Sequence, residues 1–487
     1  MTESITALLA LIGIVVLVSS LLSGVVERTG LPQVAIFLLL GVVLGPIGLG
    51  LIELTLQSPA VQILSTLALL LVLFSDAIAV DVGELRANRR LALFALGPGT
   101  VLPALGITLA ARLLLDLTIP QALILGASLA STDPVLLRGL VRRAELPGRA
   151  RVALRLEGGM NDVVLLPIVV LSMLALDPAR NEPAVVARHL LGLFALGPAL
   201  GAIVGWVAIT MLEQIRKRAG VRRDYESLYA LGVAFTAFAA AESVGGSGYL
   251  AAFAAGLVIA ALDVELCDCF LDYGEASAEM FLLLTFVAFG ASLIWIGISV
   301  ADFRTIGFAL VALGARTAVL LPTLRQAGLD PESRRLIAWF GPRGLSSLLL
   351  VLLPVFAGYA GADRLFAIVA LVVLLSVALH GGGIALFLQR RRAAGAGELA
   401  NAPAAAPAAR SPTATKAAPD ERITIDELRA LWTAGEAVIV ADARTERSFG
   451  QDGSMAASAV RLPPDDAVRS ARALGLSQHA TVVVYCA

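Results

Sequence analysis

Long apolar runs separated by short polar turns fill most of this chain, and a run of about 20 apolar residues matches the hydrocarbon thickness of a bilayer. Such runs fall near 4–24, 31–50, 60–81, 91–113, 119–141, 151–176, 189–212, 226–243, 247–263, 276–297, 303–322, 334–357 and 364–388, which predicts about 13 transmembrane helices. Two runs are interrupted, the fifth by Ser131-Thr132-Asp133-Pro134 and the twelfth by Gly341-Pro342-Arg343-Gly344. A proline in a helix removes an amide donor and clashes with the preceding turn. The breaks lie seven spans apart, an odd offset that reverses direction in the membrane. The pattern predicts inverted repeats with two discontinuous helices crossing near mid-membrane.

Beyond residue 392 the pattern changes. Residues 393–420 are rich in Ala and Pro and read as a linker. Ile423 to Arg429 reads as a cap and short helix, while Ala437–Ala441 and Thr481–Tyr485 read as buried parallel strands. The expected fold class is an all-α polytopic membrane domain over 1–392, followed by a small α/β module over 421–487.

Composition agrees with that division. Of 487 residues, 58% are hydrophobic and only 15% charged, against about a quarter charged in soluble domains. A net charge of -1 gives no pointer to a nucleic-acid partner. Only Lys217 and Lys416 are lysines among 37 basic residues, a bias that reads as genome composition. The Cys267-Asp268-Cys269 spacing is too tight for an ordinary structural zinc site, so no resident metal or cofactor is expected. The N-terminus runs from Thr2 and Glu3 straight into apolar residues, without a basic leader, and reads as a first span. Arg86, Arg89 and Arg90, then Arg138, Arg142 and Arg143, then Arg216, Lys217 and Arg218, then Arg334 and Arg335, and finally Arg390, Arg391 and Arg392 all follow odd-numbered spans. Basic loops face the cytoplasm, which places the N-terminus outside the plasma (inner) membrane and the C-terminus in the cytoplasm.

The candidate chemistry lies in the acids within apolar runs. A carboxylate near a bilayer centre costs about 2.5–3.5 kcal/mol on insertion scales, so such residues mark ion pathways and proton relays. Asp162, after Asn161, is the first candidate for a carboxylate shared by proton and cation, because desolvation disfavours it bare. Thr132 and Asp133 sit at a helix break, where unwound carbonyls and side-chain oxygens become ligands; the alternative is an aspartate that caps freed amides. Glu157 lies about 500° around the helix from Asp162 and faces elsewhere. Arg343, in the other broken helix, is its expected partner, forming an ion pair that is scaffold rather than transport machinery. Asp76 is either an intramembrane acid or a residue at the water boundary. Arg316 and Glu242 are candidates for a second pair or for cavity-facing residues. His380 reads as a buried neutral histidine, with pH sensing as the alternative. No G-x-x-x-x-G-K-[ST] stretch is present, which points to secondary rather than ATP-driven transport.

At these residues the chain resembles the monovalent cation:proton antiporter-1 family, the sodium/proton exchangers. The matching pieces are Ser131-Thr132-Asp133-Pro134, Glu157-Gly158-Gly159-Met160-Asn161-Asp162 and Arg343-Gly344-Leu345-Ser346-Ser347, in order and spacing over about residues 4–390. The resemblance implies antiport of Na+ or K+ against H+ by a homodimer in lipid, with Asp133, Thr132 and Asp162 around the cation, Asn161 orienting the site, and Glu157 bridged to Arg343. The Asn161-Asp162 pair resembles the electroneutral branch, and Asp76 falls where related exchangers often carry an acid near the ion. The position after the buried glutamate is often serine in that family. Here Gly158 removes that oxygen, or leaves its place to water.

The tail resembles a rhodanese-like domain at Val440-Ala441-Asp442-Ala443-Arg444 and Val484-Tyr485-Cys486. The stretch 450–459 lacks the usual Gly-His-Ile, and the chain reaches Ala487 one residue after the expected persulfide cysteine, Cys486, so the module is expected to be incomplete and inactive. The alternative function is a membrane-tethered rhodanese-like sulfurtransferase or sulfur sensor, for which so many spans are an excessive anchor.

Overall fold

A computed structural model describes residues 12–18, 21, 33–80, 82–133, 137, 148–177, 182–218, 223–262, 268–326, 331–383, 423, 425–433, 436, 438–444, 455–456, 458–462, 467–476 and 481–485. Pro134, Cys267 and Cys486 lie outside the described residues, as does most of the expected first span. The chain forms two compact units, Met1–Asn401 and Ala402–Ala487, and the division falls inside the expected linker.

The first unit is helical. In chain order it contains α1 (Gln33–Leu44), α2 (Pro59–Ile78), α3 (Val82–Ala87), α4 (Arg89–Leu96), α5 (Pro98–Leu114), α6 (Ile119–Ala130), α7 (Gly148–Leu176), α8 (Pro183–Leu191), α9 (Gly197–Arg218), α10 (Arg223–Ser243), α11 (Gly248–Ala261), α12 (Asp268–Ala288), α13 (Ile296–Ser299), α14 (Phe303–Gln326), α15 (Pro331–Trp339), α16 (Leu345–Phe356) and α17 (Ala362–Ser376). One-turn π segments follow α8, α12 and α17, at Gly192–Leu196, Phe289–Leu293 and Val377–Gly381. Among the described residues, seven helical stretches are long and apolar enough to cross a membrane, and five further apolar helices are shorter. This is an integral membrane protein.

Two of the short helices, α6 and α16, each lie against one of the expected breaks. α6 starts with a capping box in which the Thr118 amide donates to Gln121 Oε1 at 3.1 Å. It stops because Asp133 precedes Pro134, and a residue before proline is driven out of helical geometry; Ser131 is already extended, with ψ 136°. α15 ends at Trp339, the chain runs without regular structure over 340–344, and α16 begins at Leu345. Pro342 and the extended Gly344 (φ -151°, ψ -134°) account for that interruption.

Helices α6, α7, α16 and α17 pack on one another around the two breaks, and α2 joins them through α7 and α16. Elsewhere small residues bring backbones together: a Cβ on Gly201 of α9 would lie 1.9 Å from the Ala251 carbonyl oxygen of α11. The second unit contains α18 (Ile425–Thr433), β1 (Val438–Asp442), β2 (Val460–Arg461), α19 (Ala467–Ala473) and β3 (Thr481–Tyr485). Its sheet is parallel in the order β2-β1-β3, with Ala441 opposite Val460 and Val438 opposite Thr481.

Candidate ion-binding site

The two breaks are joined by backbone and charge. The Asp133 amide donates to the Pro342 carbonyl at 2.9 Å, and the Leu345 amide donates to Asp133 Oδ2 at 2.7 Å. Asp133 therefore caps the N-terminus of α16, where freed amides and the positive end of the helix dipole favour an anion. The approach is close enough that a Cβ on Gly344 would sit 1.9 Å from Asp133 Oδ2. Arg343 does the converse job at the end of α6, its Nη1 donating to the carbonyls of Ala130 at 2.9 Å and Ser131 at 3.0 Å. Those are the unpaired acceptors that every helix C-terminus leaves.

α7 brings the second acid to this crossing. Asp162 is 3% exposed, and its Oδ1 accepts from Ser131 Oγ at 2.5 Å. The Ser346 hydroxyl, one residue into α16, is a second donor to the same carboxyl. Next to it, Asn161 Nδ2 donates to Thr132 Oγ1 at 2.7 Å, while Asn161 Oδ1 is buried with no hydrogen-bond partner. The structure thus gathers Thr132, Asp133, Asn161 and Asp162 at one place, all at most 3% exposed. Ser131 and Ser346 complete the group. Their hydroxyls are additional hard oxygens; both serines stand inside the quoted motifs, which assigned them no role. Asp76 is half-buried in α2, and a Cβ on Gly159 would come within 3.6 Å of its Cβ.

The expected Glu157–Arg343 ion pair is not formed. Glu157 is held instead by Arg316 of α14, with Nε to Oε1 at 2.7 Å and Nη2 to Oε2 at 2.6 Å, a fork matched to both carboxylate oxygens. Arg316 also donates from Nη1 to the carbonyls of Ile337 and Ala338, closing the end of α15 as Arg343 closes α6. The geometry explains the exchange of partners. Arg343 turns its Nη1 to the α6 carbonyls while its Nε and Nη2 are buried without a hydrogen-bond partner, whereas Arg316 reaches the α15 terminus and the α7 glutamate together. Nor do Arg316 and Glu242 pair, since Glu242 Oε1 accepts from the Gly248 amide at 2.8 Å at the start of α11.

Among the described residues no cluster of three or more His, Cys, Asp or Glu is arranged to hold a metal. The crossing offers a dense set of oxygens, from two carboxylates, three hydroxyls and the Asn161 amide, suited to a small hard cation or a proton.

The family described as sodium/hydrogen exchanger, transmembrane, matches residues 13–390. The chain belongs to that family. The K+/H+ antiporter NhaP2 of Shewanella sp. strain ANA-3 is 27% identical over 399 residues, 78% of this chain and 66% of that protein. The Na+/H+ antiporter NhaG of Bacillus atrophaeus is 23% identical over 395 residues, 77% of this chain and 74% of that one. This chain therefore spans just under two thirds of the NhaP2 length. The solved structure of the sodium proton antiporter MjNhaP1 from Methanocaldococcus jannaschii superposes with a TM-score of 0.64 at 19% identity, covering 79% of this chain and 99% of that one. At that identity the likeness is one of fold.

Proposed function

We propose that the protein is a secondary antiporter that exchanges one monovalent alkali cation, Na+ or K+, for one proton. The observation that carries the reading is the charge count at the crossing. Among the described residues of the helical unit, the fully buried ionisable side chains are Asp133, Glu157, Asp162, Arg316, Arg343 and His380. Counting the histidine as uncharged, three carboxylates face two guanidinium groups, and one further positive charge brings the cluster to balance. Burying an uncompensated charge is costly, so the site favours one bound H+ or one bound monovalent cation over none or two.

Asp162 is the carboxylate on which the two compete. Glu157 and Arg316 cancel within the scaffold, and Asp133 is tied to the α16 amides, so Asp162 holds the excess negative charge. Ser131, Ser346, Thr132 and the free Asn161 oxygen complete the cation shell, standing in for the oxygen absent at Gly158. The broken helices belong to inverted halves, and alternating access exposes the site to one face and then the other. The relatives' names are those of antiporters rather than enzymes, and they include both K+/H+ and Na+/H+. The protein works in the plasma (inner) membrane as a homodimer surrounded by lipid, N-terminus outside and C-terminus in the cytoplasm. Its tail is a rhodanese-like module.

In everted vesicles with an imposed acid interior, a pulse of Na+ or K+ should collapse the pH gradient. Asp162→Asn should abolish the response to both. Full exchange by that variant, or a rate that follows membrane potential, would refute the assignment.

A further inference from the structure

We propose that His380 is a positioning residue for the cation site: through Ser376 it fixes the backbone of Arg343, and with it the loop that holds Asp133. This rests on the antiport reading above. In the loop 340–344 the Phe340 and Gly341 amides still reach back to the carbonyls of Leu336 and Trp339, but the Arg343 amide lies beyond α15, and a buried amide must find another acceptor. For Arg343 that acceptor is Ser376 Oγ at 2.7 Å, and the same oxygen lies 3.0 Å from His380 Nδ1. From the loop the chain of contacts continues to the site, since Pro342 O receives the Asp133 amide and the Leu345 amide binds the Asp133 carboxylate.

A helical serine or threonine left to itself turns its hydroxyl onto the carbonyl one turn earlier. Thr108, Ser172 and Thr285 all do so here, onto Ala104, Ile168 and Phe281. Ser376 differs in having the imidazole at its hydroxyl, which holds that oxygen towards Arg343. The ring is 3% exposed and lies 5.8 Å, centroid to centroid, from Trp339, the last residue of α15. It therefore touches the residue before the loop and, through Ser376, a residue inside it. His380 is carried on the π segment Val377–Gly381, a helix irregularity of the kind that recurs at functional sites.

The test uses the full chain in proteoliposomes, reading half-saturating cation concentration and maximal rate, together with amide hydrogen exchange over residues 340–345. Ser376→Ala and His380→Gln should each raise half-saturation roughly three- to tenfold, the value of one buried hydrogen bond, with maximal rate within about twofold. His380→Asn, whose amide falls where Nδ1 lies, should restore half-saturation to within about twofold of the parent. The double variant should be no worse than Ser376→Ala, because the two residues act in series. Hydrogen exchange at the Arg343 amide should accelerate in Ser376→Ala and His380→Gln and not in His380→Asn. Asn and Gln variants that behave alike, additive effects, or an Arg343 amide as protected as in the parent would overturn the proposal. If the parent protein moved no cation, the antiport reading would fail, while amide exchange would still decide whether His380 positions the loop.

Discussion

Glu157 and Arg316 form a two-pronged ion pair between α7 and α14, at 2.6 and 2.7 Å, with side chains only 4% and 3% exposed. Removing one member of such a pair strands a buried charge, at a cost of about 3–5 kcal/mol. Glu157→Gln and Arg316→Met should each lower the melting temperature of the purified protein, while Glu157→Leu combined with Arg316→Met should recover much of the loss. Single variants that melt with the parent would show the pair to be dispensable.

Gly344 has no room for a side chain, because a Cβ would meet Asp133 Oδ2 at 1.9 Å. Gly344→Ala should displace the carboxylate and reduce cation exchange by more than about tenfold, the value of one lost charged hydrogen bond. Gly307 in α14 has open space around it and serves as the control, since Gly307→Ala should transport as the parent does. Equal activity in both variants would remove Asp133 from the site.

The contact of α9 with α11 makes a prediction about folding rather than transport. Gly201→Ala drives a methyl group into the Ala251 carbonyl, and overpacking of this kind costs about 1–3 kcal/mol. Detergent-solubilised Gly201→Ala should melt below the parent, whereas Gly106→Ala, with nothing within 4 Å, should not.

In the tail, hydrogen bonds from Arg444 hold the Asp442 carboxyl well below the usual carboxylate range. The folded module thus takes up a proton less readily than the unfolded one. Its stabilisation is complete above the ordinary carboxylate pKa and is lost as pH falls below it. Limited proteolysis of the intact chain should show β1 becoming cleavable on acidification. Asp442→Asn should be susceptible already at neutral pH and should lose that acid dependence.

Much of the site was legible because lipid makes polar residues conspicuous. Asp133 and Asp162 stood out as costly residues in apolar runs, Thr132 lay at the helix break and Asn161 came with the family resemblance; the structure brings all four together. The breaks at 131–134 and 341–344 were announced by proline and glycine. The arginine partners were not legible, because which guanidinium reaches Glu157 depends on where α14 and α15 pack, information that no local pattern carries. Ser131 and Ser346 stood inside the quoted motifs without a role, and Ser376 was not singled out, for a related reason. A serine in an apolar helix satisfies itself on its own backbone, so only a tertiary partner distinguishes a working hydroxyl from a silent one. The twelfth run also shows why counting apolar runs blurs at breaks: residues 334–357 take in both the end of α15 and all of α16.

The knot formed by Asp133, Pro342, Leu345 and Arg343 has a mechanical consequence. Sliding α6 past α16 would strand several desolvated polar groups together, each costing about 1–3 kcal/mol, so the two broken helices shift as a single block. In the proposed exchange cycle, the rearrangement that changes which face of the bilayer meets Asp162 then falls at the perimeter of that block. The seam with α2, where Gly159 lies against Asp76, is such a boundary.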